Sequence, residues 1–412
     1  MKVWLKYAIG VVLGIVSIFV LPLNSPTVSG AIEYVAELVL RIGKYSLVPL
    51  LFFSLVVAIF SLAENRALIK TSFVTLALML LSTFVLALLG VLSIVFIKLQ
   101  RIPISVDRMN ELLALETDKL VLALFPASAF SVFLNGTFLL PVFLLACFVG
   151  IACYMEKERT RTLMSLCDSC SAVFYTITCV IMDFLAIGMI AVACRWAVNF
   201  FDALSSGMYT VLLIVLTVDL LFVLFVLYPA LFHTFVKKEE KHRPYKVLYA
   251  GTAPLIAAFF SGDANFVLPF VMRHAKENLG IQRRYNAFAF PLFSMFARGG
   301  SALVASVSFI VILNSYSSLG VSFLNALWII ALSSLISFLL AGLPSGGAFV
   351  VLVTLCALYG HGFEAGYLLL KPVSVVICAY SAAIDAATAI FCNYYAALNM
   401  NMVKHRDLRP FI

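Results

Sequence analysis

The ionisable residues set inside apolar stretches are the ones whose chemistry has to be explained. Arg298 is the most demanding. It lies at the middle of the stretch Phe296-Ala297-Arg298-Gly299-Gly300-Ser301, where an unpaired guanidinium costs roughly 2.5–3.5 kcal/mol on insertion scales. It must therefore meet a carboxylate, water or an anionic ligand. Asp263 and Asp385 are its candidate partners. Two readings stay open: Arg298 binds an anionic group of a solute, or it forms a permanent ion pair with one of those carboxylates. Asp183 and Asp219 also lie in apolar stretches, as members of a proton relay or as interface residues with a hydroxyl partner. Cys167 and Cys170 form a C-x-x-C with no βαβ context and no second ligand pair, and read as apolar filler. The histidines, at 233, 242, 274, 361 and 405, have no ligand spacing. No Gly-rich phosphate loop, G-x-S-x-G elbow or H-E-x-x-H occurs, so neither an enzyme nor ATP-driven transport is supported.

The elements that hold these residues follow from composition. Of 412 residues, 63% are hydrophobic and 12% charged, with a mean hydropathy of +1.09; ordinary soluble domains have about 45–50% apolar and about 25% charged residues. Runs of about 20 apolar residues recur, each long enough to cross a ~30 Å hydrocarbon core as a helix. Backbone groups in lipid must be satisfied internally, and strand-type alternation is absent, so the fold class is an all-α polytopic membrane protein. The net charge of +8 falls in short loops between apolar runs, the positive-inside pattern, and does not mark nucleic-acid binding. The first run, Ala8 to Leu23, lacks a small-x-small cleavage site after Pro22 and reads as a retained helix.

Charge sidedness gives the topology. Lys2 and Lys6, the Arg66/Lys70 loop, the Met155–Arg161 loop and the Lys237–Lys246 loop are cytoplasmic. A third span covers about 71–97, and Lys98 to Lys119 forms an outside loop of mixed charge. The 163–200 stretch exceeds one straight span and is expected to contain a break. The apolar stretch Val247 to Met272 lies between two basic segments, KKEEKHRPYK and RHAKENLGIQRR. A single crossing would put these on opposite faces, so the stretch enters and returns as a re-entrant hairpin with its tip at Ser261-Gly262-Asp263-Ala264-Asn265. A seventh span follows at about 285–313. The stretch Val321 to Leu358 repeats the argument with opposite sidedness, between uncharged outside loops, with its interruption at Gly342-Leu343-Pro344-Ser345-Gly346-Gly347. An eighth span at about 367–402 returns to the basic, cytoplasmic C-terminus. Eight crossings and two opposed hairpins form an inverted repeat, and paired broken segments of this kind place a solute site near the bilayer midplane.

These residues resemble the dicarboxylate/amino acid:cation symporter (glutamate transporter) family along almost the whole chain, most weakly at about 98–205. Leu268-Pro269 and Ala275-Lys276-Glu277-Asn278-Leu279-Gly280-Ile281 are similar to the family's LPVTM and AKENLGV, and Pro291-Leu292 opens the seventh span as in LPLGATINMDGT. Ala341-Gly342-Leu343-Pro344-Ser345-Gly346-Gly347 is similar to AGVPGGG, and Arg41 to Ile69 to the family's second helix and the loop after it.

The resemblance implies a substrate site formed by Asp263, Ala264 and Asn265 of the first hairpin, Arg298, Gly300 and Ser301 of the seventh span, Pro344, Ser345 and Gly346 of the second hairpin, and Ser374, Cys378 and Ser381 of the eighth. Asp385 and Ser381 fall at ion-coupling positions. Three motifs depart from the family. Its serine-rich first tip becomes Asp263-Ala264-Asn265. Its N-M-D-G-T, whose Asn and Asp supply oxygens to sodium, becomes Ala297-Arg298-Gly299-Gly300-Ser301. Its D-x-x-R-T-x-x-N-x-x-G-D falls on Ser374, Ile377, Cys378, Ser381 and Asp385, where only the last carboxylate survives.

The family expectation is a cation-coupled symporter of an amino acid or dicarboxylate working by elevator-type alternating access. Residues 1–236 form mainly the scaffold of a homotrimer, and residues 237–412, with the third span, form the transport core. Its partners are a small-molecule substrate and the lipid bilayer of the inner (cytoplasmic) membrane. There is no cofactor and no metal beyond a coupling sodium, with a proton as the other candidate ion. The alternatives are a proton-coupled or uncoupled exchanger of another organic anion and a non-transporting solute sensor.

Overall fold

The computed structural model describes residues 2–22, 25–95, 97, 102, 125–126, 128–134, 139–236, 244–316, 321–340, 347–360 and 362–404. Among these the chain is built of helices, with one isolated β-bridge between Ile281 and Val403. In chain order they are α1 (Val3–Val20), α2 (Pro26–Lys44), α3 (Leu47–Glu64), α4 (Leu68–Val95), α5 (Leu139–Met155), α6 (Arg161–Ser205) and α7 (Thr210–Phe235). Then come α8 (Pro244–Ala250), α9 (Thr252–Ser261), α10 (Ala264–Glu277), α11 (Arg283–Phe296), α12 (Gly299–Tyr316), α13 (Phe323–Leu339), α14 (Gly347–Tyr359), a 3-10 segment Gly366–Val373, and α15 (Ser374–Asn399). Among the described residues, seven helical segments are long and apolar enough to cross a membrane. Large apolar side chains on their outer faces, such as Phe19, Phe73, Phe184 and Ile187, are exposed, as hydrocarbon contact requires and water would penalise.

Burial separates central from peripheral helices. In the most apolar 18-residue window of α11–α12, 94% of residues are buried, and 83% in that of the last span, against 28% for α1 and 33% for α7. The last two helical spans are therefore wrapped by the others. α4 packs along α12, which also meets α13, α14 and α15; α9 and α10 lie on α15; α1, α2 and α3 pack on α6.

Local chemistry explains several boundaries. Pro229 has no N–H to give to the carbonyl of Phe225 four residues earlier. The helix widens there into a π turn at Val223–Leu227, and the Tyr245 hydroxyl donates to the freed Phe225 oxygen at 3.2 Å. The expected break in 163–200 does not exist: α6 runs unbroken for 45 residues. It contains no proline and a single glycine, Gly188, so nothing interrupts its hydrogen bonds. At ~1.5 Å per residue it is about 68 Å long, more than twice the hydrocarbon thickness.

The seventh span, expected as one helix over about 285–313, is instead divided into α11 and α12 at Ala297-Arg298. The first helical pair lies where the polar interruption placed it, as α9 and α10 around Gly262-Asp263, and its second arm continues past Met272 to Glu277. The expected outside loop at 98–119, apart from Ile102, lies outside the described residues. So do residues 237–243, 341–346 and 405–412.

Two of the acids in apolar stretches, the exposed Asp183 and the buried Asp219, bind structural partners. Asp183 on α6 pairs with Arg273 on α10 at 3.1 Å. Asp219 on α7 accepts from the Ser93 hydroxyl of α4 at 2.9 Å. Asparagine at 219 would keep a hydrogen-bonding head of the same shape without a charge to bury. Asp219→Asn should thus leave stability within about 1 kcal/mol of the parent, read from thermal unfolding in detergent; a loss above about 3 kcal/mol would show that the charge itself is required.

Candidate functional site

The break in the seventh span organises the site. An α-helix begins with backbone N–H groups that have no partner of their own, and those of α12 are met from another helix. The Asp385 carboxylate of α15 accepts from Gly300 N at 2.7 Å, Ser301 N at 3.3 Å and Ser301 Oγ at 2.8 Å. A carboxylate at a helix N-terminus is favoured by the amides and by the helix dipole. Contact this close needs residues without side chains. A Cβ added at Gly300 would lie 2.6 Å from the Ser381 carbonyl oxygen and 2.7 Å from Ile384 Cβ, and one at Gly299 would lie 3.1 Å from Thr83 Cα and 2.7 Å from Leu86 Cδ1. The two glycines clamp the start of α12 between α15 and α4.

Arg298 sits on the unwound segment just before this point and is 4% exposed. Its Nε donates to the Ser294 carbonyl at 3.1 Å, and Nη2 makes a long contact of 3.5 Å with Asn265 Oδ1. Asp385 and Asp263 both act on it electrostatically. Yet among the described residues no carboxylate oxygen comes within the 4.0 Å of a salt bridge. The permanent ion pair with Asp263 or Asp385 that the sequence left open is therefore not formed. Among the described residues its guanidinium, with five N–H donors, meets one carbonyl and one amide oxygen and no carboxylate.

The turn of the first helical pair completes this side. Gly262 takes φ +64°, and Asp263 caps α10 by accepting from Asn265 N at 2.8 Å and Phe266 N at 3.3 Å. The other Asp263 oxygen pairs with Lys44, the last residue of α2, at 2.8 Å. Ser294 Oγ donates to the Ala264 carbonyl at 3.3 Å, so the turn is tied to α11, and Gly262 approaches Cys378 of α15. From the opposite side comes Gly347, the first residue of α14, with φ +30°. A Cβ there would lie 3.3 Å from Ser381 Oγ and 3.4 Å from Ser301 Oγ. Ser381 Oγ also donates to the Cys378 carbonyl at 2.9 Å.

Asp263, Ala264, Asn265, Arg298, Gly300, Ser301, Cys378, Ser381 and Asp385 thus belong to one polar neighbourhood drawn from α10, α12 and α15. Pro344, Ser345 and Gly346 lie outside the described residues. Ser374 opens α15, one turn before Cys378 and eleven residues, or roughly 16 Å along the axis, before Asp385. Two members, Lys44 and Ser294, escaped the sequence reading, and Gly347 was named there only as part of the second interruption. Lys44 carried a signal, a lone lysine beside the apolar run Leu47 to Phe60, but its partner is 219 positions away. No group of three or more His, Cys, Asp and Glu able to hold a metal occurs among the described residues.

Comparison with known proteins bears on this arrangement. A profile described as the sodium:dicarboxylate symporter family matches residues 1–397. Similar curated proteins include "Neutral amino acid transporter B(0)" from Homo sapiens, 26% identical over 127 residues, 31% of this chain and 23% of that protein. The Bos taurus protein of the same name is 29% identical over 129 residues, with the same two shares, and that of Mus musculus is 26% identical over 151 residues, 36% of this chain and 25% of that protein. These alignments span a quarter or less of each relative's length.

Proposed function

Because the chain belongs to the sodium:dicarboxylate symporter family, we propose that it is a secondary transporter of a small organic solute bearing a carboxylate, an amino acid or a dicarboxylate. The relatives' name, neutral amino acid transporter, supports the amino acid class. One observation carries the reading: Arg298 is buried at the broken span, beside two helix starts, without a carboxylate in salt-bridge range among the described residues. A buried guanidinium with no carboxylate partner of its own is matched by an anion that comes and goes.

Arg298 clamps the solute carboxylate, and the hydroxyls of Ser301 and Ser381 and the amide of Asn265 supply neutral hydrogen bonds to the rest of it. Asp385 holds the start of α12 in place and does not touch the solute. The two helical pairs, α9–α10 and α13–α14, act as re-entrant hairpins closing the site from opposite sides. The transport core comprises 237–412 with α4, which packs along α12, and it moves as an elevator against a trimeric scaffold in the inner membrane, with both termini cytoplasmic. The contacts between the two parts are polar as well as apolar: Lys44–Asp263, Asp183–Arg273 and Tyr175–Glu277. Such pairs exchange for water at modest cost when one part slides. Energy comes from a cation gradient, or from exchange of one solute for another.

Counterflow in proteoliposomes with a panel of labelled amino acids and carboxylates tests the proposal. The expected result is accumulation of at least one carboxylate solute. No counterflow of any solute under any ion gradient would overturn it, and binding without counterflow would mark a solute sensor on the same fold.

A further inference from the structure

The family's name implies a sodium ion, and the residues at the broken span can be tested against that ion's needs. A hard cation takes several oxygen ligands arranged around it at close range. Here Ala297 and Gly299 have no side-chain oxygen. Both Asp385 oxygens already accept hydrogen bonds from the start of α12. The helices around them touch through Gly299 and Gly300 with no room for a Cβ, much less for an ion with its ligands. On the described side chains packed against Gly299, the buried Thr83 hydroxyl of α4 lacks a partner, and one hydroxyl is not a coordination shell.

Charge gives the same answer independently. The described site holds two carboxylates, Asp263 and Asp385, and two cations, Lys44 and Arg298. It is balanced before any ion enters, and an added sodium would meet a buried guanidinium that acts on the same Asp385 carboxylate.

We infer that this protein does not use a sodium ion at the Asp385 site, because both oxygens of that carboxylate are engaged by the start of α12 and the adjoining positions, Ala297 and Gly299, bring no side-chain oxygen. The inference rests on the transport reading above, and it leaves a proton gradient or solute exchange as the driving force.

The test uses the purified full chain in two assays. Thermal unfolding in detergent is compared in sodium chloride and in choline chloride at equal ionic strength, for the parent and for Thr83→Val. Counterflow in proteoliposomes is compared in the same two salts. The expected result is no sodium-specific shift in the melting midpoint, no change on Thr83→Val, and counterflow rates equal within about twofold. A sodium-specific stabilisation, or counterflow that falls tenfold or more in choline, overturns the inference. If counterflow is absent in both salts the transport reading fails, and the unfolding comparison still decides the sodium question by itself.

Discussion

Arg298→Met should lower the apparent affinity for the solute by roughly 30- to 150-fold while the protein remains folded. That range corresponds to roughly 2–3 kcal/mol for a charge-assisted hydrogen bond to a carboxylate. Methionine keeps an apolar stem of similar reach and removes the cation. The folded state should tolerate this, because the direct bonds of Arg298 are one to a carbonyl and one long contact to Asn265, and Asp385 keeps all its hydrogen bonds to α12. Concentration-dependent uptake and size-exclusion chromatography read the two effects separately. Normal affinity would remove Arg298 from the solute site, and a protein that no longer folds would show that the guanidinium is structural.

Asp385→Ala should do the opposite. It strips the partner from Gly300 N, Ser301 N and Ser301 Oγ at once. Unpaired buried groups of this kind cost about 3–5 kcal/mol, so the variant should unfold at markedly lower temperature or denaturant. Asp385→Asn keeps one oxygen for the amides and should lose only about 1–2 kcal/mol. Equal, small effects of both substitutions would mean that the capping contact does not hold the break together.

The contrast between these two residues also shows what was legible in the sequence. The α9–α10 turn could be read because its signal is local: Gly262 permits the left-handed turn and Asp263 caps the helix two residues on. Apolar runs likewise marked the spans. The break at Ala297-Arg298 was not legible as a break, since the carboxylate that terminates it lies 85 positions further on. α6 misled in the other direction: length alone suggested an interruption, where the absence of proline meant continuity. The family motifs located the neighbourhood of Arg298 and Asp385, but not their division of labour. That division depends on which carboxylate reaches which N–H group, a matter of helix packing set by Gly299 and Gly300.

The central claim, that Arg298 receives the carboxylate of a transported solute, is tested most directly by counterflow with matched solutes that differ only at that group. Each acid found to exchange in proteoliposomes would be paired with its own primary amide, in the parent and in Arg298→Met. The parent should carry the acid and reject the amide by tenfold or more, and the variant should lose that preference. Equal counterflow of acid and amide in the parent, or a preference that survives in Arg298→Met, would contradict the account.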